Sequence, residues 1–104
     1  MSPAQAPMVM TTLDALVPEV RWADLLDGFT EAIASPEPGL VETFLVQSRN
    51  EPTRWRIVTL WRDAAALEAR RASGPPRGPA IFRAAGADPS LTIAEVAVHH
   101  RPQG

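Results

Sequence analysis

Two extended runs of apolar residues lie in the middle of the chain and are separated by a short polar turn. Leu40–Arg49 and Arg54–Trp61 are rich in β-branched and aromatic residues, which favour strands. Residues 50–53, between them, include Asn and Pro and have the composition of a turn. The pattern predicts an antiparallel β-hairpin.

A helical period precedes the hairpin. Pro18 and Glu19 suit a first helical turn, because proline lacks only an N–H that would be unpaired there and a carboxylate favours the positive end of the helix dipole. Apolar residues then recur at spacings of three and four, and they predict one buried face made of Trp22, Leu25, Leu26, Phe29 and Ile33. The prolines and glycine of 36–39 are expected to end this helix.

Weaker signals complete the order of elements. Asp63 is a good N-cap residue directly before an alanine-rich segment, so a second helix is expected to begin after it. The Pro/Gly-rich stretch that follows is predicted to be a loop throughout. The remaining elements are a first strand at Met8–Leu16, the second helix at Ala64–Ala72, the loop at Ser73–Pro79, a short helix at Ala80–Ala85 and a last strand at Leu91–His99.

This order of strands and helices predicts an α+β fold of the ferredoxin-like, split βαβ type. In such a fold a four-stranded antiparallel sheet carries its helices on one face. The third strand nevertheless has apolar residues at the centre of both faces, with Ile57 beside Thr59 on one side and Val58 beside Leu60 on the other.

The second strand is predicted to be apolar on both sides as well. Its alternation assigns Val41 and Leu45 to one face, and Leu40, Phe44 and Val46 to the other. Helices cover only one face of the sheet, and monomers rarely expose so large an apolar patch on the other. A second copy of the chain is the simplest cover, so the sequence predicts a homodimer with two sheets face to face, a dimeric α+β barrel.

Composition restricts the function classes. A chain of 104 residues with 45% apolar residues is the size of one domain that can bury a core, and we expect it at 8–100 with tails at 1–7 and 101–104. The formal net charge of −2, without blocks of one sign, makes nucleic acid an unexpected partner.

The absence of Cys excludes thiolate metal sites and cysteine nucleophiles. With no signal-peptide pattern and no long apolar run, no membrane contact and a cytoplasmic location are expected.

The run Ile57–Leu67 resembles the antibiotic biosynthesis monooxygenase superfamily. There a strand ends in Trp, a capped helix begins shortly after it, and an Ala-Leu pair lies on that helix, as at Trp61, Asp63, Ala66 and Leu67 here. The resemblance implies a dimeric α+β barrel with one pocket per subunit between sheet and helices. It also implies an oxygenase chemistry that needs no metal or flavin, because a deprotonated anthrone or hydroquinone can itself reduce dioxygen.

The resemblance also directs attention to particular positions. Trp61 and Arg70 are the candidate catalytic residues, Trp61 at the end of a central strand and Arg70 where many family members carry His. A guanidinium there could stabilise a phenolate or enolate but could not act as a base. Packing of the indole and an outward-pointing Arg70 are the alternatives. Candidate substrate-binding residues are Thr12, Trp22, Phe29 and Phe82, of which the aromatic ones could equally be core.

Departures from the family pattern narrow the function. Haem-degrading relatives use a His on the third helix, an Asn on the first strand and a Trp on the second helix, whereas this chain has Gly86 near the first place, no Asn in the first strand and Arg70 near the third. Adjacent His99 and His100 would point to opposite faces of a strand and could not bind one metal together. No cofactor and no metal are therefore expected.

Two functions remain open at this stage. One is a cofactor-independent monooxygenase that oxidises a small aromatic or polyketide-like substrate with dioxygen. The other is a non-catalytic small-molecule-binding or dimerisation module of the same fold. The second alternative stays open because the His and Asn of the family pattern are missing from their places, and because the chain has no Tyr, which the quinone-forming family members use in their proposed proton path.

Overall fold

The computed structural model describes residues 6–35, 37–100 and 102. Its strands are β1 Val9–Leu16, β2 Leu40–Gln47, β3 Arg54–Trp61 and β4 Ser90–Glu95. They form one antiparallel sheet in the order β2-β3-β1-β4. The helices are α1 Trp22–Ile33, after a 3-10 turn at Glu19–Arg21, α2 Ala64–Ala72 and α3 Arg77–Ala84. This arrangement confirms the predicted α+β, ferredoxin-like fold.

The predicted ends of the domain are mostly outside the described residues. Residues 1–5 of the first tail and 101, 103 and 104 of the second are among those not described. The bounds 8–100 therefore stay a prediction. Within the described part of the chain, no helix is both long and apolar enough to cross a bilayer.

Local signals placed α2 correctly. Asp63 adopts an extended conformation and its Oδ1 accepts a hydrogen bond from the backbone N–H of Ala66 at 2.8 Å. One of the helix's first N–H groups is thereby paired, as an N-cap requires. Ala66 and Leu67 form the buried side of the helix, which directs α2 against the end of β3.

The third helix begins earlier than predicted. It starts at Arg77 instead of Ala80, so Gly78 and Pro79, assigned to a loop, lie in its first turn. A proline there removes no helical hydrogen bond, because the first N–H groups of a helix have no partner inside it. A glycine is needed at position 78 for a different reason, because a Cβ atom there would lie 2.5 Å from Cδ1 of Leu13. The glycine allows α3 to approach the sheet closely.

The last strand ends earlier than predicted. Glu95 pairs with Val9, the first residue of β1, and beyond it one further bond runs from the N–H of Val96 to the carbonyl of Met8 at 2.8 Å. β4 stops because its neighbour β1 has not yet begun on that side. His99, the last residue of the predicted strand, and the adjacent His100 lie outside β4 and are exposed.

The second strand contains a bulge that the alternation did not predict. The register against β3 shifts between Leu40, which pairs with Trp61, and Glu42, which pairs with Leu60. Val41 is the extra residue, and it reverses the facing of every position before it. Leu40 consequently lies on the same face as Leu45, and not with Phe44 as predicted.

The two faces of the sheet have different surroundings. On the helix face, a buried cluster joins strands to α1 and α3, and its central members include Leu13, Val17, Leu25, Ile57 and Phe82. A smaller cluster of Val9, Trp61 and Leu67 joins the sheet to α2. The opposite face, called here the outer face, carries Met10, Thr12, Phe44, Val46, Val58 and Leu60 and is covered by none of the helices.

Charged residues lie at one end of the outer face. Asp14 accepts from Nε of Arg56 at 2.5 Å and also pairs with Arg54, which in turn pairs with Glu51. Partial burial by itself raises the pKa of Asp14, but hydrogen bonds and charge from Arg56 and Arg54 together outweigh that effect and lower the pKa below its ordinary value. The two carboxylates and the two guanidinium groups balance each other in charge. The apolar side chains of the outer face therefore lie next to an ion cluster without net charge.

Candidate functional site

A cavity of about 280 Å³ lies between the helix face of the sheet and the three helices. This is close to the lower end of the usual range for ligand sites, about 300–1,000 Å³. Its apolar walls include Leu13, Phe29, Ile33, Leu40, Leu67, Ile81, Leu91 and Ile93. Leu91 and Ile93 are 51% and 46% exposed, and the extensive contacts of β4 are with β1 and not with a helix. The cavity therefore opens toward the β4 edge.

Three threonines cross the floor of this cavity. Thr43 pairs with Thr59, and Thr59 pairs with Thr11, on three adjacent strands. The hydroxyls of Thr43 and Thr59 are 3.0 Å apart and hydrogen bonded. Thr59 is 8% exposed and is the one buried polar residue among those described. We call Thr43, Thr59 and Thr11 the threonine row.

Trp61 forms one wall beside the threonine row. The residue is 6% exposed, and its indole Nε1 donates to Oγ1 of Thr11 at 3.2 Å. It also packs in the cluster with Val9 and Leu67. The structure therefore combines the two interpretations of this residue, because the indole is a buried anchor and also lines the cavity.

Arg70 lines the cavity where the C-terminus of α2 meets the following loop. Its Nε donates to Oε1 of Glu37 at 2.8 Å. Its Nη1 donates to Oγ of Ser73 at 3.1 Å and to the carbonyl of Gly74 at 3.3 Å, and its Nη2 donates to the carbonyl of Pro75 at 2.9 Å. Each guanidinium nitrogen has a protein partner, so the side chain holds the loop in place. It does not point outward, since only 16% of it is exposed.

Glu37 joins Arg70 to the start of α3. The same Oε1 lies 3.0 Å from Nε of Arg77, and Glu37 is 11% exposed. Arg77 also donates from Nη1 to the carbonyls of Ala32 and Ser35 at 2.9 and 2.5 Å, at the C-terminal end of α1. Guanidinium groups suit this position, because they pair with both a carboxylate and the unpaired carbonyls at a helix end. The ion cluster thereby ties three helices together at one end of the cavity.

The structure brings only some of the proposed site residues together. Trp61, Arg70 and Phe29 line the cavity. Trp22 is in the core, with Nε1 donating to the carbonyl of Val17 at 2.9 Å and its ring edge-on to Trp55. Phe82 is 0% exposed in the same cluster and is not among the lining residues.

The structure places Thr12 away from the cavity, contrary to the prediction that it binds substrate. It pairs with Val58 and lies on the outer face, whereas the hydroxyl that reaches the cavity belongs to Thr11, which pairs with Thr59. Successive residues of a strand point to opposite faces, so an error of one position moves a side chain across the sheet. The alternation of β3 places Ile57 and Thr59 on the same face as Trp55 and Trp61, which indicates the cavity side of that strand. Only the register between β1 and β3 shows which threonine of β1 lies on the same side.

No metal centre is formed by the residues that the structure describes. In those ranges, no three His, Asp or Glu side chains are grouped so that they could hold an ion. Glu37 is the only carboxylate among the cavity-lining residues, and it is shared by Arg70 and Arg77. The lining cations, which include Arg71, thus outnumber the anion at this end.

These features define a class of protein: a ferredoxin-like α+β domain with a small apolar cavity between its sheet and its helices. The chain belongs to the antibiotic biosynthesis monooxygenase family, whose family model matches residues 19–85. The family resemblance of the Ile57–Leu67 run is thereby confirmed. Among curated proteins, no sequence match was found.

Solved structures share the fold over almost the whole chain. SnoaB of Streptomyces nogalater, a cofactor-independent oxygenase, is 20% identical, with a TM-score of 0.68 over 94% of this chain and 100% of its own. A Deinococcus radiodurans protein provisionally named as an antibiotic biosynthesis monooxygenase is 15% identical, with a TM-score of 0.71 over 92% and 99%. NE2512 of Nitrosomonas europaea, of unknown function, is 18% identical, with a TM-score of 0.69 over 97% and 100%. At these identities the likeness concerns the fold.

Proposed function

We propose that the protein is a cofactor-independent monooxygenase that oxidises a small aromatic or polyketide-like substrate of the anthrone or hydroquinone type. The observation that carries this proposal is the small, mostly apolar cavity next to Trp61, with the threonine row on its floor, in a chain of this family. The structural likeness to SnoaB supports it.

The reaction balances without an added reductant. Loss of a proton makes an anthrone-type substrate electron-rich enough to reduce dioxygen. Its CH2 carbon becomes a C=O group, one oxygen atom enters the product, and the other leaves as water with the two hydrogens that the carbon gives up. The protein supplies a cavity with few competing water molecules and groups that stabilise the anion.

The contacts of Trp61 and Arg70 suggest different parts for them. Trp61 lies against the ligand space and is the group we assign to substrate contact. Arg70 donates from every guanidinium nitrogen to protein atoms, so we assign it the positioning of Glu37 and of the loop at 73–75. Its charge still adds to the positive potential at that end of the cavity.

One observation favours the alternative of a non-catalytic binding module. The single lining carboxylate, Glu37, is held between two guanidinium groups, which occupy it. A general base needs access to the proton that it removes. Ligand binding without turnover would identify the protein as such a module.

Oxygen uptake tests the proposed reaction. We expect anthrone or a hydroquinone to be oxidised in metal-free buffer with a chelator, and the Trp61→Ala, Arg70→Ala double variant to be slower by about 10²-fold, because positioning and anion stabilisation are lost. Arg83→Ala is the control, since Arg83 is exposed and lines no part of the cavity. Turnover of no panel member above the rate of the double variant would contradict the proposal.

We also propose that two copies pack through their outer faces. Phe44 and Val46 are 46% and 41% exposed there, and they continue the apolar surface of Val58 and Leu60. Two sheets stacked in this way would bury both apolar faces in a closed, symmetric dimer. The family's dimeric barrel, implied by the resemblance, is consistent with this arrangement.

Sedimentation at several concentrations tests the dimer. We expect wild type to be dimeric, and Phe44→Glu to weaken association by about 10²-fold or more, since it would bury an unpaired charge. Val20→Glu is the control, because Val20 is 86% exposed on the 3-10 turn before α1, away from the outer face. A wild-type monomer at every concentration would overturn this part of the proposal.

A further inference from the structure

The threonine row places three hydroxyls in line on the cavity floor, whose other side chains are apolar. Thr43, Thr59 and Thr11 occupy directly opposed positions on β2, β3 and β1. Neighbouring strands are about 4.8 Å apart, so the row extends over about 10 Å, comparable to a fused aromatic ligand. The next position in the same row, Ile93 on β4, is apolar. The hydroxyls are therefore confined to the closed side of the cavity.

The threonine row has more hydroxyl hydrogens than acceptors for them within the part of the protein that the structure describes. A threonine hydroxyl carries one hydrogen and can accept two. Thr11 accepts from Trp61, which leaves its own hydrogen without an acceptor among the described residues. Within the pair of Thr43 and Thr59 one hydroxyl donates to the other, so one more hydrogen is left over. Two O–H donors thus face the cavity without an acceptor in the described part of the protein.

The surroundings make those donors a specific feature. Leu13, Leu40 and Leu67 lie around them in the cavity wall, Thr59 is 8% exposed, and Thr11 and Thr43 are half-buried. Hydroxyl hydrogens beside apolar side chains are normally given an acceptor. An acceptor oxygen from outside the chain would complete the pairing.

The chemistry of the donors restricts which oxygen fits. The hydroxyls are uncharged, whereas the cationic groups Arg70, Arg71 and Arg77 lie together at the helix end of the cavity with Glu37. A neutral carbonyl or phenol needs only one or two uncharged donors. When such a ligand loses a proton, the same donors favour the anion, because hydrogen bonds to the charged form stabilise it.

We infer that the threonine row is a binding site for a carbonyl or phenolic oxygen of an aromatic ligand, and that it orients the ligand with this oxygen against the sheet beside Trp61. The inference rests on the proposed function insofar as it places the substrate in this cavity. It goes further by naming the groups that select and orient it. Thr11 is the principal donor, since its hydroxyl accepts from the indole while its one hydrogen has no acceptor among the described residues.

Binding of 1-naphthol and of naphthalene, which lacks the oxygen, tests this site. We expect the affinity for 1-naphthol, followed by tryptophan fluorescence or calorimetry, to fall about three- to tenfold in Thr11→Val and in Thr43→Val, Thr59→Val, which is the usual effect of one lost neutral hydrogen bond. Naphthalene binding should change little. Thr11→Ser keeps the hydroxyl and should keep the affinity.

Thr12→Val is the matched control, because Thr12 is the next residue on β1 but points to the outer face. The paired Val variant guards against unfolding, since it removes both partners of one hydrogen bond and leaves neither unpaired. The inference is wrong if 1-naphthol fails to bind saturably to wild type, if the Val variants bind it as wild type does, or if both probes weaken equally. The second result would mean that water alone satisfies the hydroxyls.

Oxygen uptake separates this inference from the proposed function. If 1-naphthol binding depends on the threonine row while neither anthrone nor hydroquinone is oxidised, the binding site stands and the monooxygenase proposal fails. If anthrone is oxidised with the same KM and kcat by Thr11→Val and by the paired variant, the proposed function stands and the threonine row is not its oxygen site.

Discussion

Replacing Phe82 with alanine is expected to lower the free energy of unfolding by about 3–5 kcal/mol, the range for a large aromatic removed from a packed core. Phe82 is 0% exposed and packs in the cluster that joins α3 to the sheet. The carbonyl of this residue also accepts from the N–H groups of Ala85 and Ala87. These bonds hold the end of α3 in place, so it cannot readily move into the cavity that the missing ring would leave. Thermal and urea unfolding at fixed protein concentration measure the loss, with a decrease in Tm of more than about 10 °C.

Phe29→Ala is the comparison that separates core from cavity. Phe29 is only partly buried and lines the ligand space, so its removal enlarges an existing cavity instead of creating one. We expect a smaller loss of stability and a larger loss of affinity for aromatic ligands than in Phe82→Ala. If the two variants lost stability equally, the division of the predicted substrate residues into core and lining would be wrong.

Glu37→Gln is the second change with a large expected effect, about 2–3 kcal/mol of unfolding free energy. The carboxylate serves both Arg70 and Arg77, and Glu37 and Arg70 are only 11% and 16% exposed. Removing the common partner leaves mostly buried guanidinium charge uncompensated, which is costly in a way that losing a surface pair is not. The value is below that for a fully buried pair because Arg77 is 40% exposed.

Glu51→Gln is the control for this substitution. Glu51 also pairs with an arginine, Arg54, but is 53% exposed, so the cost should be below about 1 kcal/mol. The cost at Glu37 should also persist at high salt, since screening acts mainly on exposed charges. Glu37→Gln should weaken aromatic-ligand binding too, because Arg77 holds the start of α3 over the cavity. Equal costs at the two positions would show that the ion cluster does not stabilise the site.

Elements with strong local signals were predicted with nearly correct bounds. Asp63 caps α2 as expected, and the bounds of β3 and α2 agree with the sequence pattern. Capping and strand composition are properties of a few neighbouring residues, and they act in the same way in most surroundings. Leu25 is fully buried as its helical spacing predicts, but Leu26, assigned to the same face, is 49% exposed because the sheet covers only part of that stripe.

Three of the errors arose where a partner strand decides the outcome. The bulge at Val41 changed the facing of Leu40, and the end of β1 stopped β4 before His99. Thr12 was chosen where Thr11 reaches the cavity, since the facing of β1 depends on its register with β3. None of these features has a signal within the strand concerned.

The candidate site divides in the same way. Trp61 was found from the end of its strand and from the family resemblance, and it does line the cavity. The threonine row was missed, because its members are 16 and 48 residues apart and meet only through the pairing of three strands. Glu37 was missed as well, since nothing near it in the chain announces that two distant arginines will share it.

The amino-acid sequence by itself determined the order of strands and helices, the class of fold, the family and the presence of an apolar surface on both sides of the sheet. Periodicity, capping and composition are local, so the chain carries them without reference to its folded shape. The tertiary structure alone decided which side chains meet in the cavity, because strand register, the bulge and the approach of α3 join residues far apart in the chain. One residue of register moves a hydroxyl from the cavity to the outer face, and no local pattern can specify that choice.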